Sequence, residues 1–169
     1  MVSLDRIYQK AKKQKIMTKK EYFLSKKDYD KGVSIMVRFC LDFVVARDHK
    51  ILLSRRLIDP FKGFWHLPGG MVGKGEPIQE AAERILMSEL GLKPVSIQLQ
   101  GYIEYLDEKI LGKGLSIHSV SMVFKTVLEK GTLKGSFQAE EMKFFSEIPN
   151  HTIPVVKTFL DKNWSALTE

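Results

Sequence analysis

A cluster of glycines is followed by charged side chains in residues 67–92, which read LPGGMVGKGEPIQEAAERILMSELGL. Four glycines lie at the beginning of this stretch and predict a loop, because glycine permits a positive φ and lets the backbone approach a bound group closely. Glu76 follows the glycines, and Arg84 and Glu89 come later. This combination predicts a site at which backbone and charged side chains meet a bound group.

One amphipathic helix must position these charged groups. Pro77 suits the first helical position, where a missing N–H does no harm. Glu80 and Arg84 are four residues apart on the predicted helix, and Gly91 is a typical helix terminator. The apolar residues recur at helical spacing and predict a buried stripe formed by Ala81, Ala82, Ile85, Leu86 and Leu90.

The rest of the chain predicts strands on both sides of this helix. VRFCLDFVVA and ILLSRRL are rich in apolar residues and are separated by the turn RDHK, so they predict a hairpin. Apolar and polar residues alternate in VSIQLQGYIEYLDE and IHSVSMVFKTVLE, which predicts two long strands. EEMKFFSEIP predicts a further, short strand. We expect helices after Ser25 and over residues 152–166. These elements predict an α+β fold, an α/β/α sandwich with a mixed sheet between helices.

Composition places the chain among globular proteins of one domain. No apolar run is long enough to span a bilayer, no signal peptide is apparent, and the single cysteine, Cys40, cannot form an intrachain disulfide. We therefore expect a cytoplasmic protein. Residues 1–31 hold ten Lys/Arg and four Asp/Glu, which accounts for most of the net charge of +7. Residues 1–23 predict a basic helical extension to a domain of residues 24–169; a solvated extension is favoured over a nucleic-acid-binding arm.

The central stretch resembles the signature of the Nudix hydrolases, G-x5-E-x7-R-E-U-x-E-E-x-G-U, where U is a bulky aliphatic residue. Ile85 and Ser88 depart from it, each at the place of a glutamate. The positions that match are Gly70, Glu76, Arg84, Leu86, Glu89, Gly91 and Leu92.

The flanking residues resemble one subfamily, the GDP-mannose mannosyl hydrolases, over about residues 24–150. Asp28 and Tyr29 match its opening acidic–aromatic pair, residues 41–43 match its Leu-Asp-Phe strand end, and GFWHLPGG is similar to its loop. That subfamily also lacks the same two glutamates. The resemblance implies a homodimer that uses Mg²⁺, with Mn²⁺ as a substitute. Water would attack the anomeric carbon of a nucleoside-diphosphate sugar and release the nucleoside diphosphate.

The same resemblance implies roles for individual residues. The expected metal ligands are the carbonyl of Gly70 (or of its neighbour Gly69), Glu76, Glu89 and Gln138. The expected substrate-binding residues are Asp42, Arg56, Arg84 and Tyr105. Arg56 would contact the diphosphate directly, since its fixed fork suits phosphate oxygens. Arg84 is expected to pair with Glu76 or Glu80 and order the loop.

Three positions depart from the subfamily. Ala139 stands where the catalytic histidine is expected, Met71 replaces an arginine after the double glycine, and Tyr105 replaces a further histidine. Glu140 and Glu141 are candidate substitutes for the base or additional metal ligands, and the alternative is that they form a solvated strand edge. Three functions follow as hypotheses: glycosidic cleavage of a nucleoside-diphosphate sugar, pyrophosphohydrolysis of a nucleoside diphosphate derivative, or a binding module without turnover.

Overall fold

The computed structural model describes residues 25–57, 60–110, 115–135 and 139–169. The predicted extension over residues 1–23 and the predicted metal ligand Gln138 lie outside the described residues. The helices are α1 (Lys26–Ile35), α2 (Ile78–Leu90) and α3 (Pro154–Thr168). The strands are β1 (Arg38–Arg47), β2 (Lys50–Arg56), β3 (Trp65–His66), β4 (Gly69–Met71), β5 (Pro94–Ile110), β6 (Leu115–Leu128) and β7 (Ala139–Phe145).

These strands form one mixed sheet with the order β3-β2-β1-β6-β5. β4 pairs with β1 and β7 pairs with β2, while β1 and β6 are parallel and the other pairs are antiparallel. α2 packs on one face, against Leu41 and Phe43, and α3 packs on the other, against Val44 and Leu53. The predicted sandwich is confirmed. Among the described residues, no helix is both long and apolar enough to cross a bilayer.

Local sequence signals account for several element boundaries. The β1–β2 hairpin turns at Asp48 and His49, both with positive φ, as a two-residue hairpin turn requires. α1 begins after Ser25, whose hydroxyl accepts a hydrogen bond from the Asp28 N–H. α2 begins one residue later than predicted, since Pro77 precedes its first residue, and it ends at Gly91 with φ 72°.

The double glycine was predicted to lie in a loop, and that prediction was wrong. Gly69 and Gly70 belong to β4 and pair with Asp42 and Leu41 of β1. Of the four glycines before the helix, only Gly75 has a positive φ. The other three therefore do not adopt the left-handed conformation that favours glycine. Gly69 is needed instead because a side chain there would collide with β1.

Candidate active site

The segment between β4 and α2 is braced by an ion pair. Glu76 Oε1 accepts a hydrogen bond from Arg84 Nε at 2.6 Å, and Oε2 accepts from Arg84 Nη2 at 2.7 Å and from the Gly73 N–H at 2.9 Å. Arg84 Nη2 also donates to the Met71 carbonyl at 2.8 Å. Glu76 is buried, and only 21% of the Arg84 side chain is exposed. The predicted pairing of Arg84 with Glu76 is present, and it ties the segment to the helix.

The buried face of α2 carries one carboxylate, whereas the Nudix signature places further glutamates on this helix. Ile85 is buried and packs on Gly70 so closely that a Cβ built on the glycine would lie 3.2 Å from Ile85 Cγ1. Ser88 is exposed. Glu89 is four residues beyond Ile85 on the same face and is 8% exposed. Within α2, all of whose residues are described, Glu89 is the only buried carboxylate.

Asp42 is held in a close-fitting pocket at the β1–β4 pair. A Cβ built on Gly69 would collide with the Asp42 carboxylate and lie 2.6 Å from the Leu41 carbonyl oxygen. Glycine is therefore needed opposite Asp42. The Tyr105 hydroxyl donates to Asp42 Oδ2 at 2.9 Å. The structure thus brings together two of the predicted substrate-binding residues.

Burial raises the pKa of the Asp42 carboxyl to about 6. The hydroxyl groups of Tyr105 and Ser121 and the positive charge of Arg56 oppose this rise. By geometry the buried Ser121 oxygen has no hydrogen-bond partner among the described residues, so the hydroxyl contact of defined geometry is the one from Tyr105. Asp42 is thus a carboxyl that changes protonation near neutral pH, which is a property of catalytic acids and bases.

The positive charge of Arg56 acts on both Asp42 and His66. Arg56 Nε donates to the Pro60 carbonyl at 2.7 Å, which fixes the guanidinium over the segment that follows β2. Burial and then the charge of Arg56 lower the pKa of His66 to about 3, against a backbone hydrogen bond at Leu67 that raises it. His66 is therefore neutral at physiological pH. It lies on β3, across from Ser54, and it was not among the predicted site residues. The sequence feature that could have identified His66 as a site residue is its position immediately before LPGG.

The predicted residues of β7 lie opposite the end of β2. Glu141 is exposed and lies opposite Arg55, and Ala139 lies opposite Arg56. Glu140 lies between them in the same strand. The assignment of Glu140 or Glu141 as a base remains a prediction.

Glu89 and the Gly70 carbonyl are oxygen donors of the kind that suits a magnesium site with few protein ligands. Among the described residues, no three His, Cys, Asp or Glu side chains form a group that could hold a metal ion. Glu89 is a buried carboxylate on the helix face that packs on Gly70, whose carbonyl is a second oxygen donor. Mg²⁺ commonly binds one or two carboxylates and keeps waters and substrate phosphate oxygens. Glu76 already accepts hydrogen bonds at both oxygens, so its role as a ligand stays a prediction.

Comparison with known proteins agrees with this architecture. The chain is similar to an ADP-ribose pyrophosphatase of Methanocaldococcus jannaschii, 38% identical over 105 residues, which cover 62% of this chain and 59% of that protein. It is 28% identical over 122 residues to the low-salt glycan biosynthesis protein Agl8 of Haloferax volcanii, covering 72% and 78% of the two chains. A MutT NUDIX hydrolase structure from Burkholderia pseudomallei superposes with a TM-score of 0.65 at 25% identity, over 75% of this chain and 97% of that one. The NUDIX domain model matches residues 38–158. The chain therefore belongs to the Nudix family.

Proposed function

We propose that the protein is a Mg²⁺-dependent hydrolase of a nucleoside-diphosphate sugar, in which water attacks the anomeric carbon and the nucleoside diphosphate leaves. The observation that carries this proposal is the packing of Ile85 on Gly70. An aliphatic side chain fills the place at which the signature has a glutamate, and Ser88 leaves a second such place without a carboxylate. Glu89 remains as the buried acid of the helix.

This reduced donor set suits attack at carbon better than attack at phosphorus. Nudix attack at phosphorus uses several carboxylates that hold a metal cluster around the water nucleophile. If water attacks carbon, Mg²⁺ would supply neutralisation of the departing diphosphate when bound. Glu89, the Gly70 carbonyl and Gln138 would hold it, with Glu76 as a further predicted ligand.

The chain's own side chains would bind and orient the substrate. Arg56, fixed by Pro60, would contact the diphosphate and counter the charge that develops on it. Arg84 would act indirectly, by holding the β4–α2 segment in place. Asp42 and Tyr105 form a hydrogen-bonded pair that suits the hydroxyl groups of a sugar.

The attacking water must lose a proton, and three carboxylates are candidates to accept it. Glu140 and Glu141 are the predicted substitutes for the histidine that Ala139 replaces. Asp42 is a third, because a carboxyl with a pKa of about 6 is a stronger base than an ordinary aspartate. The homodimer is part of the same proposal and follows from the subfamily resemblance.

Pyrophosphohydrolysis is the second candidate function, and the 38% identity to an ADP-ribose pyrophosphatase favours it. A binding module that retains the fold without turnover is the third, and Ala139 and Met71 favour it. The three functions differ in their products, which makes them separable by one assay.

The test incubates the full chain with Mg²⁺ and GDP-, ADP- and UDP-sugars, including GDP-mannose and ADP-ribose, and resolves the nucleotides by ion exchange. Glu89→Gln removes the buried carboxylate, and Glu83→Gln, exposed on the same helix, is the matched control. Nucleoside diphosphate that disappears in Glu89→Gln and persists in Glu83→Gln supports glycosidic cleavage. Nucleoside monophosphate would establish pyrophosphohydrolysis instead. Affinity for nucleotide sugars with turnover at background would establish the binding module.

A further inference from the structure

His66 lies in a row of paired residues that crosses β3, β2 and β7. It pairs with Ser54 of β2, and Ser54 pairs with Met142 of β7. Cross-strand partners project from the same face of a sheet. Met142 packs against the hydrophobic cluster of α2, whereas Trp65, the residue before His66, packs against the cluster of α3. Strand alternation therefore places the His66 ring on the face of the sheet that α2 covers.

Arg56 is a neighbour of His66 on this face. It lies two residues beyond Ser54 on β2, so alternation directs both side chains to the same side of the sheet. The hydrogen bond from Arg56 Nε to the Pro60 carbonyl, at 2.7 Å, holds the guanidinium in place. Burial lowers the pKa of His66, and the positive charge of Arg56 lowers it further, which requires the two groups to lie close together.

The His66 ring has no acidic partner among the described residues. None of their carboxylates forms an ion pair with it, and the groups that act on it are Arg56 and the backbone of Leu67. His118, the other strand histidine in the described part of the chain, has its Nε2 3.4 Å from Glu104 Oε1. A half-buried imidazole beside a guanidinium stays neutral and keeps one N–H donor. That donor suits an anion that the guanidinium attracts.

The strand order gives this imidazole a second significance. β2 has β7 on one side and β3 on the other. Ala139, where the related hydrolases are expected to carry a histidine, pairs with Arg56 from the β7 side. His66 supplies an imidazole to the neighbourhood of the same guanidinium from the β3 side.

We propose that His66 is a substrate-binding residue whose ring donates a hydrogen bond to a phosphate oxygen of the diphosphate bound at Arg56. This inference rests on the proposed function, because it names a further contact to the same ligand. A phosphate that contacts both groups accepts charge-assisted hydrogen bonds from them. Its negative charge also offsets the unfavourable effect of Arg56 on positive charge at the ring.

The test is calorimetric titration of the full chain with ADP and with GDP in the presence of Mg²⁺. His66→Phe keeps an aromatic ring and removes its hydrogen-bonding nitrogens. His151→Phe is the matched control, because His151 is exposed and its ring packs against Phe64 with the centroids 6.2 Å apart. We expect His66→Phe to weaken diphosphate binding roughly 10- to 100-fold, as for a lost hydrogen bond to a charged group, and His151→Phe to change it less than about twofold.

A measurement on the wild type keeps the proposal falsifiable if His66→Phe does not fold. The chain has four histidines, so the ring signal of His66 in proton NMR is assigned by substituting the other three. We expect ADP with Mg²⁺ to shift the His66 signal more than the others, and His66→Gln, which keeps a neutral donor, to recover part of the affinity lost in His66→Phe. Unchanged affinity in folded His66→Phe, or a His66 signal that ADP leaves in place, overturns the contact and leaves the proposed function standing. A wild-type protein that binds neither nucleotide overturns both.

Discussion

Replacing the buried Asp42 with asparagine should stabilise the protein at alkaline pH. The folded state raises the pKa of this carboxyl from 3.8 to about 6, which is worth about 3 kcal/mol of unfavourable interaction for the ionised form. Asparagine has nearly the same shape, carries no charge, and offers a carbonyl oxygen to the Tyr105 hydroxyl. At pH 8 we therefore expect Asp42→Asn to raise the free energy of unfolding by about 2–3 kcal/mol.

The direction of the expected stability change follows from the protonation of Asp42 in the folded and unfolded states. Between about pH 4 and pH 6 the folded wild type keeps a proton on Asp42 that the unfolded chain has lost. The folded state binds more protons in this window, so wild-type stability falls as pH rises through it. Asp42→Asn lacks this decline. The difference between the two proteins should be small at pH 4 and reach its full size above about pH 6.

Urea unfolding at pH 4.5 and pH 8, followed by the fluorescence of Trp65 and Trp164, measures the effect. Asp161→Asn is the matched control, because Asp161 is half-exposed and pairs with Lys157 in an i,i+4 arrangement worth less than about 0.5 kcal/mol. Equal destabilisation of Asp42→Asn at both pH values would refute the reasoning, since hydrogen bonding would then outweigh burial. A stabilised variant without activity would show that this charge is kept for function.

Three other substitutions test the packing of the site, each by urea unfolding. Gly69→Ala should destabilise by about 1–3 kcal/mol, because its Cβ would overlap β1, whereas Gly135→Ala, with no atom closer than 3.8 Å, should change stability by less than about 0.5 kcal/mol. Arg84→Lys should lose about 1–3 kcal/mol, because lysine cannot reproduce the fork on Glu76, and an unchanged value would argue against the brace. Ile85→Glu should lose about 3 kcal/mol or more by burying a carboxylate, and unimpaired stability would mean that the helix face still accepts an acid there.

Local patterns were sufficient to predict the central helix and its neighbours. Helical spacing identified the buried stripe of α2, and Gly91 marked its end, because both signals lie within a few residues of one another. The hairpin, the long strands and the terminal helix followed for the same reason. The family resemblance implied that Arg84 pairs with Glu76 or Glu80, and the structure has the pair with Glu76.

Contacts between distant parts of the chain could not be predicted in this way. Gly69 looks like a loop glycine, and only its pairing with β1 shows that it makes room for Asp42. Ser119 is far from Arg38 in sequence, and their hydrogen bonds depend on the parallel register of β1 and β6. Strand alternation alone gives the face of a residue but not its partner on another strand.

In this altered signature, the residues that fix the shape of the site are different from those that set its charge. Glu76 and Arg84 are retained, and together they fix the segment that leads into α2. The two lost glutamates lie at Ile85, which now packs on the β4 backbone, and at Ser88, which faces solvent. Losing two acids while keeping the brace makes the site less negative without changing its shape. Under the proposed function, such a site would bind an anionic diphosphate with less metal to neutralise it, as a reaction in which the diphosphate leaves intact would require.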